Sequence, residues 1–455
     1  MRRLILSALL IPVLSFAQGR VQVVSTLDGR NLNVNHDGSI SIAVADGTNM
    51  DAFGRVRVSN PTTLFDSKQI HNDPDLASSV ENQPLFYDNQ QVSGTNTTTE
   101  YDVNKAHTTL AVAANTAGRR IRQSKMRFNY QPGKSQLTLM TFTFSSSPTN
   151  GILRKEGQFD DQNGLYFCDN GETYGLVRRT YTSGEAVDNR IAQSDWNLDP
   201  MDGTGPSGIT LDFTKTQILV MDYEWLGVGR VRMGWNVDGV TYVAHQFLNA
   251  NNLDVVYMSN PNLPLRSEIE NTGEGPAASM TQICSTVISE GGSEDTGTIR
   301  SASTNGTHVD ANTENTIYAV IGIRQKQNYI SNTIKLIDFS LQEQAGSKQL
   351  EWMLLLNPTI EGTFAYVGES HSAIEVARGA TANTVTGGTR LAGGFFNSAG
   401  VQGGGAGSAA GTLNNAIRLG SLIDGTRDVM VLCVRPVGGT SNADVEASIT
   451  WRELN

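Results

Sequence analysis

RVRMGWNVDGVTYVAHQF, residues 230–247, is the stretch that decides the fold. Val231, Met233 and Trp235 alternate with Arg230, Arg232 and Gly234, the period of two that a half-buried strand requires. Asp238-Gly239 then interrupts the alternation, and Val240 and Tyr242 resume it. Asp-Gly suits a two-residue hairpin loop because both loop residues must take positive φ. The stretch predicts a β-hairpin that buries Val231, Met233 and Trp235.

Outward from this hairpin the pattern repeats. Leu137–Phe144, Ile218–Tyr223, Ile317–Ile323 and Ile334–Leu341 read as strands, and very little between them follows a helical period. Many strands without alternating βαβ units imply an all-β antiparallel jelly-roll sandwich over residues 61–345. Upstream, Asp28-Gly29, Asp37-Gly38 and Asp46-Gly47 recur every nine residues and predict a small β-meander within residues 19–60. Downstream, residues 346–455 predict a C-terminal β-domain, with strands at Trp352–Leu356, Val429–Val434 and Val445–Trp451 around a glycine-rich loop at 387–411. The Phe395-Phe396 pair of that loop is either tucked inward or held against a partner. Residues 1–18 combine Arg2 and Arg3 with an apolar run and a small residue at Ala17, the layout of a secretory signal peptide. An apolar arm buried in an assembly is the other reading of the same segment.

The chain has 455 residues, 34 Lys and Arg against 45 Asp and Glu, and a net charge of −11. An acidic balance argues against a nucleic-acid partner, which needs a net basic face to displace counterions. The one basic concentration, Arg119, Arg120, Arg122, Lys125 and Arg127, splits between two faces if it lies on a strand. Cys168, Cys284 and Cys433 are too few and too scattered for a disulfide framework and read as buried single thiols.

No phosphate-binding glycine loop occurs, and Gly368-Glu369-Ser370-His371-Ser372 lacks the second glycine of a serine-hydrolase elbow. Six histidines stand without zinc spacing, so no cofactor is expected. Calcium alone stays open: Asp195, Asn197, Asp199 and Asp202 alternate as cation ligands do, yet Pro200 and Pro206 break the EF-hand pattern, and a turn held by Asp side chains explains the same residues. Asp222 with Glu224, and Glu268 with Glu270, stand two apart, which on a strand puts each pair on one face as sandwich-fold glycosidases require. The third carboxylate such enzymes carry is absent, with Leu226 and Thr272 in its place. Trp196, in a polar loop, is the tryptophan best placed to stack on a sugar, whereas Trp225 and Trp235 read as core. The carbohydrate-binding candidates are therefore Trp196, Glu224 and Glu268, with no catalytic residue assigned.

The stretches AFGRVRVSNPTTLFDSKQ (52–69), the segment 196–247, VYMSNPNLPLRSEIENTG (256–273) and MTQICSTVISEGG (280–292) resemble uncharacterised virion structural proteins of tailed bacteriophages and environmental viral sequence. Within them, WLGVGRVRMGWNVDGVTYV resembles the concanavalin A-like lectin/glucanase sandwich. The resemblance implies a capsid-exterior, decoration or fibre-like component of a virion, without enzymatic activity. Its partners would be copies of itself in a closed oligomer such as a trimer, other virion proteins, and host-surface glycans. The alternative is a secreted carbohydrate-binding protein or glycoside hydrolase of the same fold.

Overall fold

The computed structural model describes residues 60–70, 85–344, 348–397 and 418–454. The signal-like segment and the expected N-terminal meander lie outside these residues.

Strands of the first sandwich are, in chain order, β1 (Thr62–Lys68), β2 (Tyr87–Gly94), β3 (Thr97–Asp102), β4 (His107–Val112), β5 (Gly118–Ser124), β6 (Gln136–Thr143), β7 (Ile152–Phe159), β8 (Gly164–Asp169), β9 (Tyr174–Thr180), β10 (Val187–Ala192), β11 (Gln217–Tyr223), β12 (Val231–Val237), β13 (Val240–Phe247), β14 (Leu265–Asn271) and β15 (Ala278–Ser289). They form two antiparallel sheets. One runs β13-β12-β11-β6-β15-β4-β3, with β1 also on β15; the other runs β10-β9-β8-β7-β14-β5-β2. The hairpin is as expected: Asp238 and Gly239 take φ of 50° and 81°, and Val231, Met233 and Trp235 are fully buried.

The core between the sheets is aromatic at one end, where Phe142, Phe144, Phe167, Phe213 and Trp235 pack ring on ring. Elsewhere it is polar, and many of its polar atoms are paired. Gln136 Oε1 accepts from Tyr223 and from Gln158, Thr138 donates to Gln158, and Arg122 Nε donates to Gln282 at 2.6 Å. Arg154 and Asp169, both without exposure, form an ion pair at 2.5 Å inside the sandwich. The bonds of Gln158 and Arg122 tie one sheet to the other, and all of them satisfy buried groups that would otherwise cost about 2 kcal/mol each.

The domain boundary differs from the expected 345. Residues 298–454 build a second sandwich with its own core, in which strands 298–303, 309–311 and 333–343 all pair with the C-terminal strand 443–454. Strand 318–325 pairs with 429–436 in the opposing six-stranded sheet. The strands at 317–341 were read correctly as strands and assigned to the wrong core, because pairing partners a hundred residues downstream leave no mark on local periodicity. Ile423 N donates to Asp88 Oδ2 at 2.8 Å and Ser421 N to the Lys125 carbonyl at 3.1 Å, joining the two sandwiches. Part of the expected glycine-rich loop is a strand: Thr389–Asn397 is the last strand of the six-stranded sheet, with Phe396 buried and Phe395 74% exposed. Of the three thiols, Cys168 and Cys433 are buried and Cys284 is exposed, contrary to expectation for the last.

Candidate functional site

The outer face of the seven-stranded sheet carries the densest set of functional side chains. Because Leu265 and Ile269 of β14 point into the core, Arg266, Glu268 and Glu270 point away from it. Register then fixes their neighbours. Arg119 of β5 stands opposite Glu270, Lys155 of β7 opposite Glu268, and Gly157 opposite Arg266. On the far side Tyr166 of β8 stands opposite Gly157, and Asp188 of β10 opposite Arg179 of β9.

A chain of ion pairs crosses these strands. Glu268 receives Lys155 Nζ at 2.7 Å and Arg119 Nη2 at 2.8 Å, with Arg266 Nη1 at 3.7 Å. Arg266 Nη1 also meets Asp161 at 2.7 Å, on the turn between β7 and β8. Arg179 Nε pairs with Asp188 at 2.7 Å, and the Tyr166 hydroxyl donates to the same carboxylate at 2.7 Å. The cations also cover rings. Arg266 lies 5.4 Å from the centre of Phe159, Arg179 5.2 Å and Lys155 6.0 Å from that of Tyr166, and the two rings are 4.5 Å apart. Two glycines make the floor flat enough for this. A Cβ on Gly175 would meet the Arg190 guanidinium at 2.7 Å, and one on Gly157 would meet the Leu165 carbonyl oxygen at 2.3 Å.

Burial alone would raise the Glu268 carboxyl, but Lys155, Arg119 and Arg266 outweigh it and hold the group at about 2. It is an ionised acceptor with both oxygens engaged. On the inner face of the same sheet the opposite holds for Glu156, whose carboxyl is pushed by burial up to about 8 against the weaker pull of Ser267 and Arg122.

Of the candidates read from sequence, only Glu268 belongs to this face. Trp196 is 4% exposed, donates its Nε1 proton to the Ile191 carbonyl at 3.3 Å, and packs with Phe167 and Trp235 in the core. Its ring has no open side for a sugar, a correction to the expectation from its polar neighbours. Glu224 is 1% exposed and follows the last residue of β11, in the other sheet. Asp222 points outward from that sheet, next to Arg232, since Leu219, Met221 and Tyr223 fill the core. Glu268 and Glu270 share a face as the two-residue spacing predicts for a strand, whereas Glu224 lies beyond the end of β11, and Asp222 belongs to the other sheet.

The aspartates considered for calcium are occupied with their own turn. Asp199 accepts from Met201 N and Ser207 N, both at 2.8 Å, and Asp202 from Thr204 N at 2.9 Å. Among the described residues no three His, Cys, Asp or Glu side chains converge as metal ligands. The basic cluster divides as expected, with Arg119 outward and Arg122 buried against Gln282 and Tyr87. What the sequence reading missed is β7 to β10 altogether, although Asn163-Gly164, Asn170-Gly171 and Ser183-Gly184 mark the turns between them.

No protein-family model matches the chain, and no curated protein matches it. Among solved structures it is similar to a glycosyl hydrolase family protein from Mycobacterium fortuitum (10% identity, 50% of this chain and 99% of that one, TM-score 0.34). It is also similar to an endo-1,3-β-glucanase from Streptomyces sioyaensis (12%, 50% and 96%, TM-score 0.34). A third is the CBM2 module of the evolved Dit of Lactobacillus casei BL23 phage J-1 (7%, 50% and 95%, TM-score 0.33). Against the expectation of a protein without enzymatic activity stand the names of two of these neighbours, a glycosyl hydrolase family protein and an endo-1,3-β-glucanase. The chain is an all-β protein of antiparallel sandwich architecture.

Proposed function

We propose that the protein recognises carbohydrate, and that the glycan lies across the outer face of the seven-stranded sheet. The observation that carries this reading is the row Arg119, Glu268, Lys155, Tyr166, Arg179 and Asp188, which presents fixed planar donors and acceptors over aromatic rings on a rigid sheet. Sugar rings offer hydroxyls at fixed spacing, and a row of fixed charged donors and acceptors matches them. The fixed charges also favour a preformed site, because little side-chain freedom remains to be lost on binding.

A glycan array on the intact protein, followed by calorimetric titration of each hit, tests the reading. Arg179→Ala and Lys155→Ala should each weaken binding about tenfold. Unchanged affinity in both variants would remove this face from the site. The same glycans, incubated with the protein and assayed for new reducing ends, show whether recognition leads to hydrolysis.

A second reading, a virion component that displays this face to host glycans, has one observation on its side: the edge of the strand Thr389–Asn397, unpaired among the described residues, with Phe395 74% exposed. Such an edge is a template for pairing between copies. Native mass spectrometry separates the readings, since a closed oligomer favours the virion component and a monomer the secreted protein.

A further inference from the structure

Asp161 occupies an unusual place on the proposed glycan face. Its side chain is 65% exposed, on the turn between β7 and β8, yet it reaches back to Arg266 Nη1 at 2.7 Å and Arg119 Nη2 at 3.4 Å. Those two guanidinium groups are far better buried, with side chains 2% and 23% exposed. They are held from below: Arg266 Nε donates to Gln123 at 2.8 Å, and Arg119 Nη2 donates to Glu268. An exposed carboxylate on a turn therefore caps two fixed guanidinium groups that belong to adjacent strands of the sheet floor. Around this point stand three cations, Arg119, Arg266 and Lys155, and three carboxylates, Glu268, Asp161 and Glu270, the last opposite Arg119 in the register. Without Asp161 the balance at the fork is three positive charges against two negative charges, Glu268 and Glu270, in a chain whose net charge is −11.

We propose that the Arg119–Arg266 fork is a subsite for an anionic group on the glycan, a carboxylate or a sulfate, and that Asp161 is the internal anion it displaces. The inference rests on the glycan reading above and narrows it to acidic polysaccharides. Guanidinium groups bind carboxylate and sulfate oxygens through parallel charge-assisted hydrogen bonds, and the fork is already set at the spacing that one carboxylate bridges. Glu268 keeps the guanidinium groups in place while the upper position changes hands, so the exchange needs no movement of the sheet. Asp161, being mostly in water, gives up its place at little cost, because an exposed ion pair contributes little.

The experiment is calorimetric titration of the full chain with three probes: polygalacturonate, which carries carboxylates; dextran sulfate, which carries sulfates; and laminarin, a neutral β-glucan. Binding of polygalacturonate or dextran sulfate that weakens with added salt is expected, and the probe that binds identifies which anion the fork takes. Asp161→Asn should tighten that binding about tenfold by removing the competing anion, while Arg119→Gln should abolish it. Asp161→Asn changes one exposed turn side chain, so it keeps the test standing if Arg119→Gln fails to fold. Laminarin bound while both acidic probes fail would overturn the anionic subsite and leave the glycan reading intact. Acidic binding that Asp161→Asn does not alter would place the anion elsewhere and overturn the proposal. No binding of any probe would overturn both.

Discussion

Glu156 and Glu268 lie on adjacent strands of one sheet, a single register step apart, and differ in everything that follows from the face they occupy. Glu156 stands opposite Ser267 and points into the sandwich; Glu268 stands opposite Lys155 and points out of it. Both are essentially without exposure, at 0% and 1%. Yet one carboxyl is raised to about 8 and is neutral at pH 7, while the other is held at about 2 and is ionised. Burial is common to both and so decides nothing. Cations decide: three surround Glu268 within 4 Å, whereas Arg122 only partly offsets the burial of Glu156. One sheet thus keeps a neutral acid on its structural face and a fixed anion on its recognition face.

The comparison breaks most severely at Glu268. Glu268→Ala leaves Lys155, Arg119 and Arg266 without their shared anion, and removing one partner of a buried ion pair costs about 3–5 kcal/mol. Chemical denaturation at pH 7 should show that loss. Its pH dependence gives the sign. The folded value near 2 is depressed below the ordinary 4.5, so the stabilisation is present above pH 4.5 and disappears as pH falls toward 2. Variant and wild type should therefore converge in acid, and a gap that persists at pH 2 would show that lost packing, not charge, caused it.

Glu156→Gln should behave in the opposite sense. A folded value raised to about 8 means that the contribution of Glu156 is full below pH 4.5 and is lost as pH rises through 8. Glutamine cannot ionise, so the variant should match wild type near pH 4.5 and become the more stable of the two toward pH 8, on the order of 3 kcal/mol. Parallel stability curves across that range would mean that Glu156 is already charged in the folded protein.

These same residues explain what could be read from the sequence. The eight-stranded sheet was legible because its strands keep one apolar face: Met140, Phe142 and Phe144 alternate with threonines, and Val231, Met233 and Trp235 with polar residues. The seven-stranded sheet was not, because polar and apolar residues stand together on both of its faces. In β7, Arg154, Glu156 and Gln158 point inward and Lys155 outward, so the period of two has no hydrophobic contrast to reveal it. The shared face of Glu268 and Glu270 followed from spacing alone. That Asp222 lies on the other side of the molecule did not, since strand order is a long-range property. Trp196 misled for a related reason: its neighbours in sequence are polar, but a short turn at Gln193–Asp195 carries its ring into the core.

The floor of the recognition face can be altered without touching its charges. Gly157→Ala places a Cβ 2.3 Å from the Leu165 carbonyl oxygen and 2.6 Å from Tyr166 Cα, backbone atoms that cannot step aside. β7 and β8 would have to separate, at a cost of about 2 kcal/mol, and thermal unfolding should register it. Stability equal to wild type would show that the two strands already part there.

Gly175→Ala is the gentlest change and the sharpest test of what the floor is for. Its Cβ would meet the Nε, guanidinium carbon and Nη2 of Arg190, at 2.7, 2.8 and 3.0 Å, the far end of a flexible side chain. Arg190 can lift away, giving up its bonds to the Thr173 carbonyl and hydroxyl, both at 2.8 Å on the exposed surface, so stability should change by less than about 0.5 kcal/mol. Ligand binding is the more sensitive readout, because a raised guanidinium stands where a chain lying on β9 must pass. If glycan affinity falls several-fold while the melting temperature holds, the flatness of β9 serves recognition. If both hold, the ligand does not reach the Gly175 end of β9.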